Sequence, residues 1–305
     1  VDITHGFRSL PFLSFLALAY LRVAKRVDVQ AVYYGAYEAR RQEANESPIF
    51  NLTPFVALLD WLTATDRFVE TGDARQLAGL LRRFSASGQV KSAARHIDNV
   101  AAGLFITSPC RVAKDSRLLD IRLREASMEL AARIPPFQLL AQRIRNTYAS
   151  FGAEKLLQDP TRLAEDLRIQ FRMIRWYMDN QHMPQALTLA REWLVSLTAY
   201  ALGRQDVLGR TAREPVEQAL NALSQKRQGK QHTEIRRADL EDQVAALSSN
   251  GLLLDLWHKV SEKRNRINHG FHEKTPPDPH KFVKEAKELL PQLEEVACIL
   301  LGETP

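Results

Sequence analysis

Asp159-Pro160-Thr161-Arg162-Leu163-Ala164-Glu165-Asp166-Leu167-Arg168-Ile169-Gln170-Phe171-Arg172-Met173-Ile174-Arg175-Trp176-Tyr177-Met178 decides the fold class. Leu163, Leu167, Phe171, Ile174 and Met178 recur at the three- and four-residue steps that place side chains on one face of an α-helix. Asp159-Pro160 starts it in the favoured way, with an acidic cap and a proline where the missing N–H is not needed. The same grammar holds downstream. A helix begins near Pro184 with Leu187, Ala190, Leu194 and Leu197 inward, and another covers Leu252 to Ile267. Thr275-Pro276-Pro277 breaks the chain, and Asp278-Pro279 caps a final helix to about Leu301, with a kink at Pro291.

Upstream, Leu118 to Ala149 is helical by pattern with an interruption at Pro135-Pro136, and Arg75 to Phe84 forms a short helix closed near Gly88. Thr53-Pro54 opens a helix with a hydroxyl cap and an N-terminal proline. Its apolar stripe reads Phe55, Leu58, Leu59, Leu62 and Phe68, and Gly72 ends it. Between Gly203 and Asp239 the chain turns polar and basic, and Gly209, Pro215 and Gly229 suggest an exposed loop over part of it. Beyond about residue 50 the pattern contains no strand.

The first fifty residues read differently. Val1-Asp2-Ile3-Thr4 has strand character and runs into His5-Gly6-Phe7-Arg8; an apolar segment follows to Arg26. Val27-Asp28-Val29-Gln30-Ala31-Val32-Tyr33-Tyr34, ended by Gly35, reads as a second strand. Strand, loop, helix, strand is one βαβ crossover, which requires a parallel sheet. Two strands cannot bury that helix, so the remaining strands are expected outside this sequence. The predicted fold is mostly α with a partial α/β part. Residues 1–52 form the later part of a Rossmann-like domain, 53–155 a helical connector and 156–305 a helical domain.

The 305 residues include 45% hydrophobic residues, normal for a folded chain. Cys110 and Cys298 are far apart and lack metal-ligand spacing, which fits a reducing, cytoplasmic setting without disulfides or zinc. The longest apolar run, Leu10 to Leu21, is about half of what a membrane span needs and reads as a buried helix. No membrane partner is expected. The net charge of +6 is compatible with nucleic-acid binding.

Arg264-Asn265-Arg266-Ile267-Asn268-His269 is the candidate active site. Arg264 falls on the stripe of Leu253, Leu256, Trp257 and Val260, where an arginine must be paired or line a cleft. Asn265 and His269, four apart, share a face, whereas Arg264 and His269 are about 140° apart around the helix. Histidine can serve as acid or base near neutrality, arginine can hold a phosphate through two N–H groups, and asparagine can fix a phosphate oxygen or orient the imidazole. These groups suit attack of a ribose 2′-hydroxyl on its own phosphate without a metal. The same residues also read as a helix terminus whose cations favour the dipole.

Arg227-Gln228-Gly229-Lys230-Gln231-His232 repeats the spacing in a polar stretch where nothing fixes the geometry. His96, His182, His258, His272 and His280 share no metal spacing, so no metal site is expected. Trp61, Trp176, Trp193 and Trp257 lie on or beside apolar stripes and are read as core.

Arg264-Asn265…His269 resembles the Arg-polar-x-x-x-His motif of HEPN ribonucleases. Ala186-Leu187-Thr188-Leu189-Ala190-Arg191-Glu192-Trp193-Leu194-Val195 resembles the HEPN domains of Csx-type CRISPR-associated proteins. There Glu192 either partners a motif arginine or forms an ordinary surface pair. Asp2 to Pro11, Tyr33-Tyr34-Gly35-Ala36 and Pro48 to Thr53 resemble the CARF domains of the same type III CRISPR ribonucleases, though the family's early CARF strands are missing. The physical reading of the turn agrees, since small residues between a strand and a helix N-terminus form an anion site.

The resemblance implies a CARF–HEPN homodimer or higher oligomer that binds a cyclic oligoadenylate activator, cyclic tetra-adenylate by first choice, at Thr4, His5, Gly6, Phe7 and Arg8. It implies no cofactor, and cleavage of single-stranded RNA by Arg264, Asn265 and His269. Two alternatives remain open at this stage: a non-catalytic nucleotide sensor or scaffold, and an enzyme degrading the cyclic ligand itself.

Overall fold

The computed structural model describes residues 10–25, 27–40, 46–133, 137–229, 238–248 and 251–302. It is mostly helical. After α1 (Leu10–Ala24) come two short strands, β1 (Tyr33–Gly35) and β2 (Ile49–Asn51), and then, among the described residues, only helices. These are α2 (Thr53–Thr71), α3 (Arg75–Phe84), α4 (Gly88–Phe105), α5 (Pro109–Arg133), α6 (Phe137–Tyr148), α7 (Leu163–Asp179) and α8 (Met183–Ala201). α9 (Arg210–Arg227), α10 (Ala238–Leu247), α11 (Leu252–Asn268), α12 (Pro279–Lys287) and α13 (Leu289–Leu301) follow.

The N-terminal part differs from its expected form. The first strand and the turn carrying Thr4, His5, Gly6, Phe7 and Arg8 lie outside the described residues. The second strand is shorter than its composition suggests. Among the described residues, strand pairing begins at Tyr33, antiparallel to β2, with Tyr33 opposite Asn51 and Gly35 opposite Ile49. α1 forms as expected but is not buried among the described residues: Phe12, Leu13, Leu16, Tyr20 and Val23 are exposed. Its recorded side-chain anchor is Arg22, which bonds the Val56 carbonyl at 3.0 Å and pairs with Asp60.

Thr53 does not cap its own helix. Its hydroxyl accepts from the Val32 N–H at 3.0 Å, tying the ribbon to α2, while the Asn51 side chain accepts from Thr53 N–H at 3.0 Å. The buried face of α2 is Val56, Trp61, Ala64, Thr65 and Phe68, with Phe55 and Leu62 outward. The stripe is rotated because Trp61 sets it, wedged edge-on between Phe84 and Phe137. Gly72 ends α2 at φ 73°, as its position predicts.

From Trp61 to Ala297 the buried side chains form one continuous core. α4 against α5 and α7 against α8 are its main helix pairs. On α7, Leu163, Leu167, Ile174 and Met178 are buried and Phe171 partly so. On α8, Leu187, Ala190, Leu194 and Leu197 are buried, as their spacing requires. The Tyr177 hydroxyl donates to the Leu104 carbonyl at 2.7 Å and joins α7 to α4.

Two breakers act otherwise than expected. Pro215 lies inside α9, buried beside Val216, Ala219 and Leu220, so the apolar stripe carries the helix past it, while Gly203 to Gly209 stays outside any helix. The last helix is two: α12 ends at Lys287 and α13 starts at Leu289, with Pro291 in its first turn. Pro291 has no N–H for the carbonyl four residues back, which marks the join.

Asp73 turns the chain between α2 and α3. Its Oδ1 accepts from the Arg75 backbone N–H (3.1 Å) and Nε–H (2.9 Å), and its Oδ2 lies 2.6 Å from Arg75 Nη2 and 2.9 Å from Arg67 Nη2. The side-chain hydrogen bond from Arg75 lowers the Asp73 carboxyl to about 2, against the opposing effect of burial. Because the folded value lies below the unfolded one, this stabilisation is complete above about pH 4 and is lost as pH falls toward 2. Arg75 is exposed to solvent, so Asp73→Asn is expected to cost about 1–2 kcal/mol at pH 7. Urea unfolding at pH 7 and pH 3 checks this: the gap between variant and parent must narrow at the lower pH.

Candidate functional site

α11 carries the motif, and its N-terminal half is fixed by burial. Leu253, Leu256, Trp257 and Val260 are buried against α8, α9 and α13. Trp257 Nε1–H donates to Asn221 Oδ1 at 3.0 Å, and the Arg191 guanidinium lies over the indole at 4.8 Å.

The C-terminal half is fixed by ion pairs and a reversal. Lys263 Nζ lies 2.6 Å from Glu285 Oε2 on α12 and 5.0 Å from the Phe282 ring centroid. Arg266 makes a two-pronged contact with Glu273 at 2.8 and 2.9 Å. Each carboxyl is held below its ordinary value, first of all by the hydrogen bond from its cation. Gly270 (φ 61°) and Phe271 (φ 52°) then turn the chain back, and the Phe271 ring meets Phe282 edge-on at 5.0 Å. Their N–H groups bond the Ile267 carbonyl at 2.8 Å and the Arg266 carbonyl at 3.0 Å, which closes the helix end.

The motif residues are thereby left over from the structural pairing. Arg264 is half-buried, and its Nη1 donates to Asn265 Oδ1 at 3.1 Å, while its Nε is shielded from solvent and has no partner among the described residues. Asn265 and His269 are exposed. His269 is the C-cap residue, its N–H bonding the Asn265 carbonyl at 3.0 Å and its own carbonyl lying 3.0 Å from His272 Nδ1. The imidazole of His269 makes no hydrogen bond to Arg264 or Asn265. A single chain thus joins Arg264 to Asn265 and places His269 one turn further on, open to solvent.

The upstream helix answers the question about Glu192. It pairs with Arg213 at 2.6 Å and Arg191 at 3.2 Å rather than with Arg264; Arg191 also pairs with Glu217. Arg213 further donates to the Val207 carbonyl at 2.9 Å. This network lashes α8 to α9 and supports the floor under Trp257. In the second match to the motif spacing, Arg227 ends α9 and forms a two-pronged pair with Asp255 at 2.6 and 3.0 Å, so it serves structure; His232 lies outside the described residues.

Sequence reading missed one basic row. His280, Lys284 and Lys287 line a shallow groove of about 600 Å³ with Gln181 and Pro291. Their spacing of four and three on α12 is the signal that points to it. These cations lie on the face of α12 opposite Phe282 and Glu285, which brace the motif, so this groove opens away from α11. Among the described residues no helix is long and apolar enough to cross a membrane, and no group of three or more His, Cys, Asp or Glu side chains is placed to hold a metal.

No family model matches the chain. It is 31% identical over 81 residues to the CRISPR-associated protein MJ1674 of Methanocaldococcus jannaschii, a match that covers 27% of this chain and 13% of that protein.

Proposed function

We propose that the chain is part of a CRISPR-associated, metal-independent endoribonuclease that cuts single-stranded RNA at Arg264, Asn265 and His269. The observation that carries this reading is the selective pairing at the end of α11. Lys263 and Arg266 are bound by Glu285 and Glu273, whereas Arg264 keeps a buried N–H without a partner among the described residues, beside an exposed asparagine and histidine. A buried donor with no acceptor is costly, and a phosphate oxygen would remove that cost. The partial identity to a CRISPR-associated protein and the CARF–HEPN resemblance support the biological setting.

In this reading the RNA 2′-hydroxyl loses its proton to a base and attacks the adjacent phosphorus. The 5′-oxygen leaves with a proton from an acid, yielding a 2′,3′-cyclic phosphate and a 5′-hydroxyl. His269 takes a proton-transfer role, and Arg264, steadied by Asn265, holds the phosphoryl oxygens as charge builds. One histidine serves one of the two proton transfers at a time. A symmetric pair of α11 ends supplies both, which is the reason for proposing a homodimer. The activator, a cyclic oligoadenylate, belongs to the Thr4–Arg8 region and acts only by binding the cutting arrangement more tightly than the idle one.

The test is cleavage of a fluorescent single-stranded RNA by the full-length protein in the presence of chelator, with cyclic tetra-adenylate added or withheld. Cutting is expected only with the activator, with 2′,3′-cyclic phosphate ends. Activity that chelator abolishes would remove the metal-independent mechanism. No cutting with cyclic oligoadenylates of any ring size would remove the ribonuclease.

A further inference from the structure

The turn between α7 and α8 takes a conformation that suits glycine, yet carries a glutamine. Gln181 sits at φ 62°, in the left-handed region. Its N–H bonds the Met178 carbonyl at 3.2 Å, and the N–H of His182 bonds the Tyr177 carbonyl at 2.8 Å. This is the helix-ending turn in which glycine is usual, because a Cβ there is strained. Such strain gathers at sites that bind. Gln181 is exposed and lines the groove of about 600 Å³ that this turn shares with His280, Lys284 and Lys287 of α12.

The cations of that row differ from their neighbours. Lys263 is held by Glu285, Arg266 by Glu273 and Arg175 by Glu294. His280, Lys284 and Lys287 make no ion pair among the described residues, although Lys287 is half-buried. Glu288, the one carboxylate lining the groove, pairs with neither lysine. A half-buried ammonium without a counter-charge is costly, and an anion in the groove removes that cost. The dipole of α12 favours Lys284 and Lys287 in its last turn. It accounts neither for His280 in the first turn nor for the strained Gln181.

The spacing selects the kind of anion. Steps of four and three along one helix face spread the row over about 10 Å. That is too long for a single phosphate and suits charges repeated along a strand. Lysine and glutamine are both side chains that hold phosphate oxygens, and a concave basic surface follows one flexible backbone. The net charge of +6 favours the same partner.

We propose that this groove holds the sugar–phosphate backbone of a single-stranded nucleic acid, with Lys284 and Lys287 on its phosphates and Gln181 donating to a phosphate oxygen. No aromatic side chain lines the groove, so the contact carries no base preference and depends steeply on salt. It opens away from α11, so it is separate from the cleavage motif and does not rest on the ribonuclease reading.

The experiment is fluorescence anisotropy of labelled oligouridylate and oligoadenylate with the full chain, between about 50 and 200 mM salt. The double variant Lys284→Gln/Lys287→Gln is compared with Lys91→Gln/Arg95→Gln, which removes the same charge from exposed positions of α4 that have no ion pair among the described residues. Circular dichroism checks the fold of each. Both strands are expected to bind the parent similarly. The slope of log affinity against log salt should become shallower by about 1.4 in the α12 variant, about 0.7 for each phosphate released, and change little in the α4 variant. Gln181→Gly should raise the urea midpoint by relieving the backbone while weakening the binding of RNA. The inference is overturned by an unchanged slope in the α12 variant, by an equal loss in the α4 variant, or by Gln181→Gly binding as the parent does. Displacement of RNA by poly-glutamate as readily as by unlabelled RNA also overturns it and assigns the groove to an acidic protein segment.

Discussion

If the chain is the proposed ribonuclease, His269→Ala is expected to lower activator-dependent RNA cleavage by at least about 100-fold, the usual range for removing one general acid–base, while the affinity for RNA changes little. Both halves of this expectation come from where the residue sits. His269 caps α11 through its backbone alone, and its exposed imidazole supports no packing. Removing it is therefore expected to leave the fold intact and, in the proposed mechanism, to take away only proton transfer. Arg264→Lys separates the other proposed role: lysine keeps a charge but loses the planar fork that would grip two phosphate oxygens, so the cleavage rate and RNA binding are expected to fall together. Stopped-time cleavage and fluorescence anisotropy with the same RNA distinguish the two. A His269→Ala protein that cuts at the parent rate would dismiss the motif as a helix terminus decorated with cations.

The helices were legible because each carries its own signal. Leu163, Leu167, Ile174 and Met178 needed no partner to declare a face, and Gly72, Pro279 and the Thr275-Pro276-Pro277 break marked ends that the structure keeps. What failed depended on long-range partners. The stripe of α2 was misjudged because Phe55 and Leu62 are as apolar as the residues it buries, and only the contact of Trp61 with Phe84 and Phe137 fixes its rotation. Pro215 read as a breaker because local propensity cannot weigh the burial of Val216, Ala219 and Leu220 around it.

The motif was visible in sequence, but its distinguishing feature was not. Three basic residues, Lys263, Arg264 and Arg266, look alike along the chain, and only the tertiary positions of Glu285 and Glu273 single out Arg264 as unspent. Likewise nothing local separates Trp176 from the three core tryptophans. Its place at a meeting of five helix ends leaves one side uncovered.

Trp193→Ala is expected to cost about 3–5 kcal/mol of folding stability, the range for emptying a buried aromatic site, a large share of the total for an ordinary domain. Trp193 is fully buried, lies 5.4 Å from the Phe171 ring, and donates its indole N–H to the Leu167 carbonyl at 2.9 Å across the α7–α8 contact. Trp193→Phe keeps a ring but loses volume and that bond. The Leu167 carbonyl lies within a continuous helix, so it is not left bare, and the cost should be nearer 1–2 kcal/mol. Urea unfolding of both variants measures the two losses, and equal values would mean that the indole is not packed as described. The neighbouring Glu192 and Arg191 tie α8 to α9 under α11, so a loosened α8 is expected to shift the population of folded chains rather than the chemistry proposed for Arg264 and His269. Cleavage per folded molecule, measured in the cold where Trp193→Ala remains native, should therefore stay within a few-fold of the parent. A loss of rate as deep as that of His269→Ala under those conditions would place α8 inside the catalytic machinery instead of beneath it.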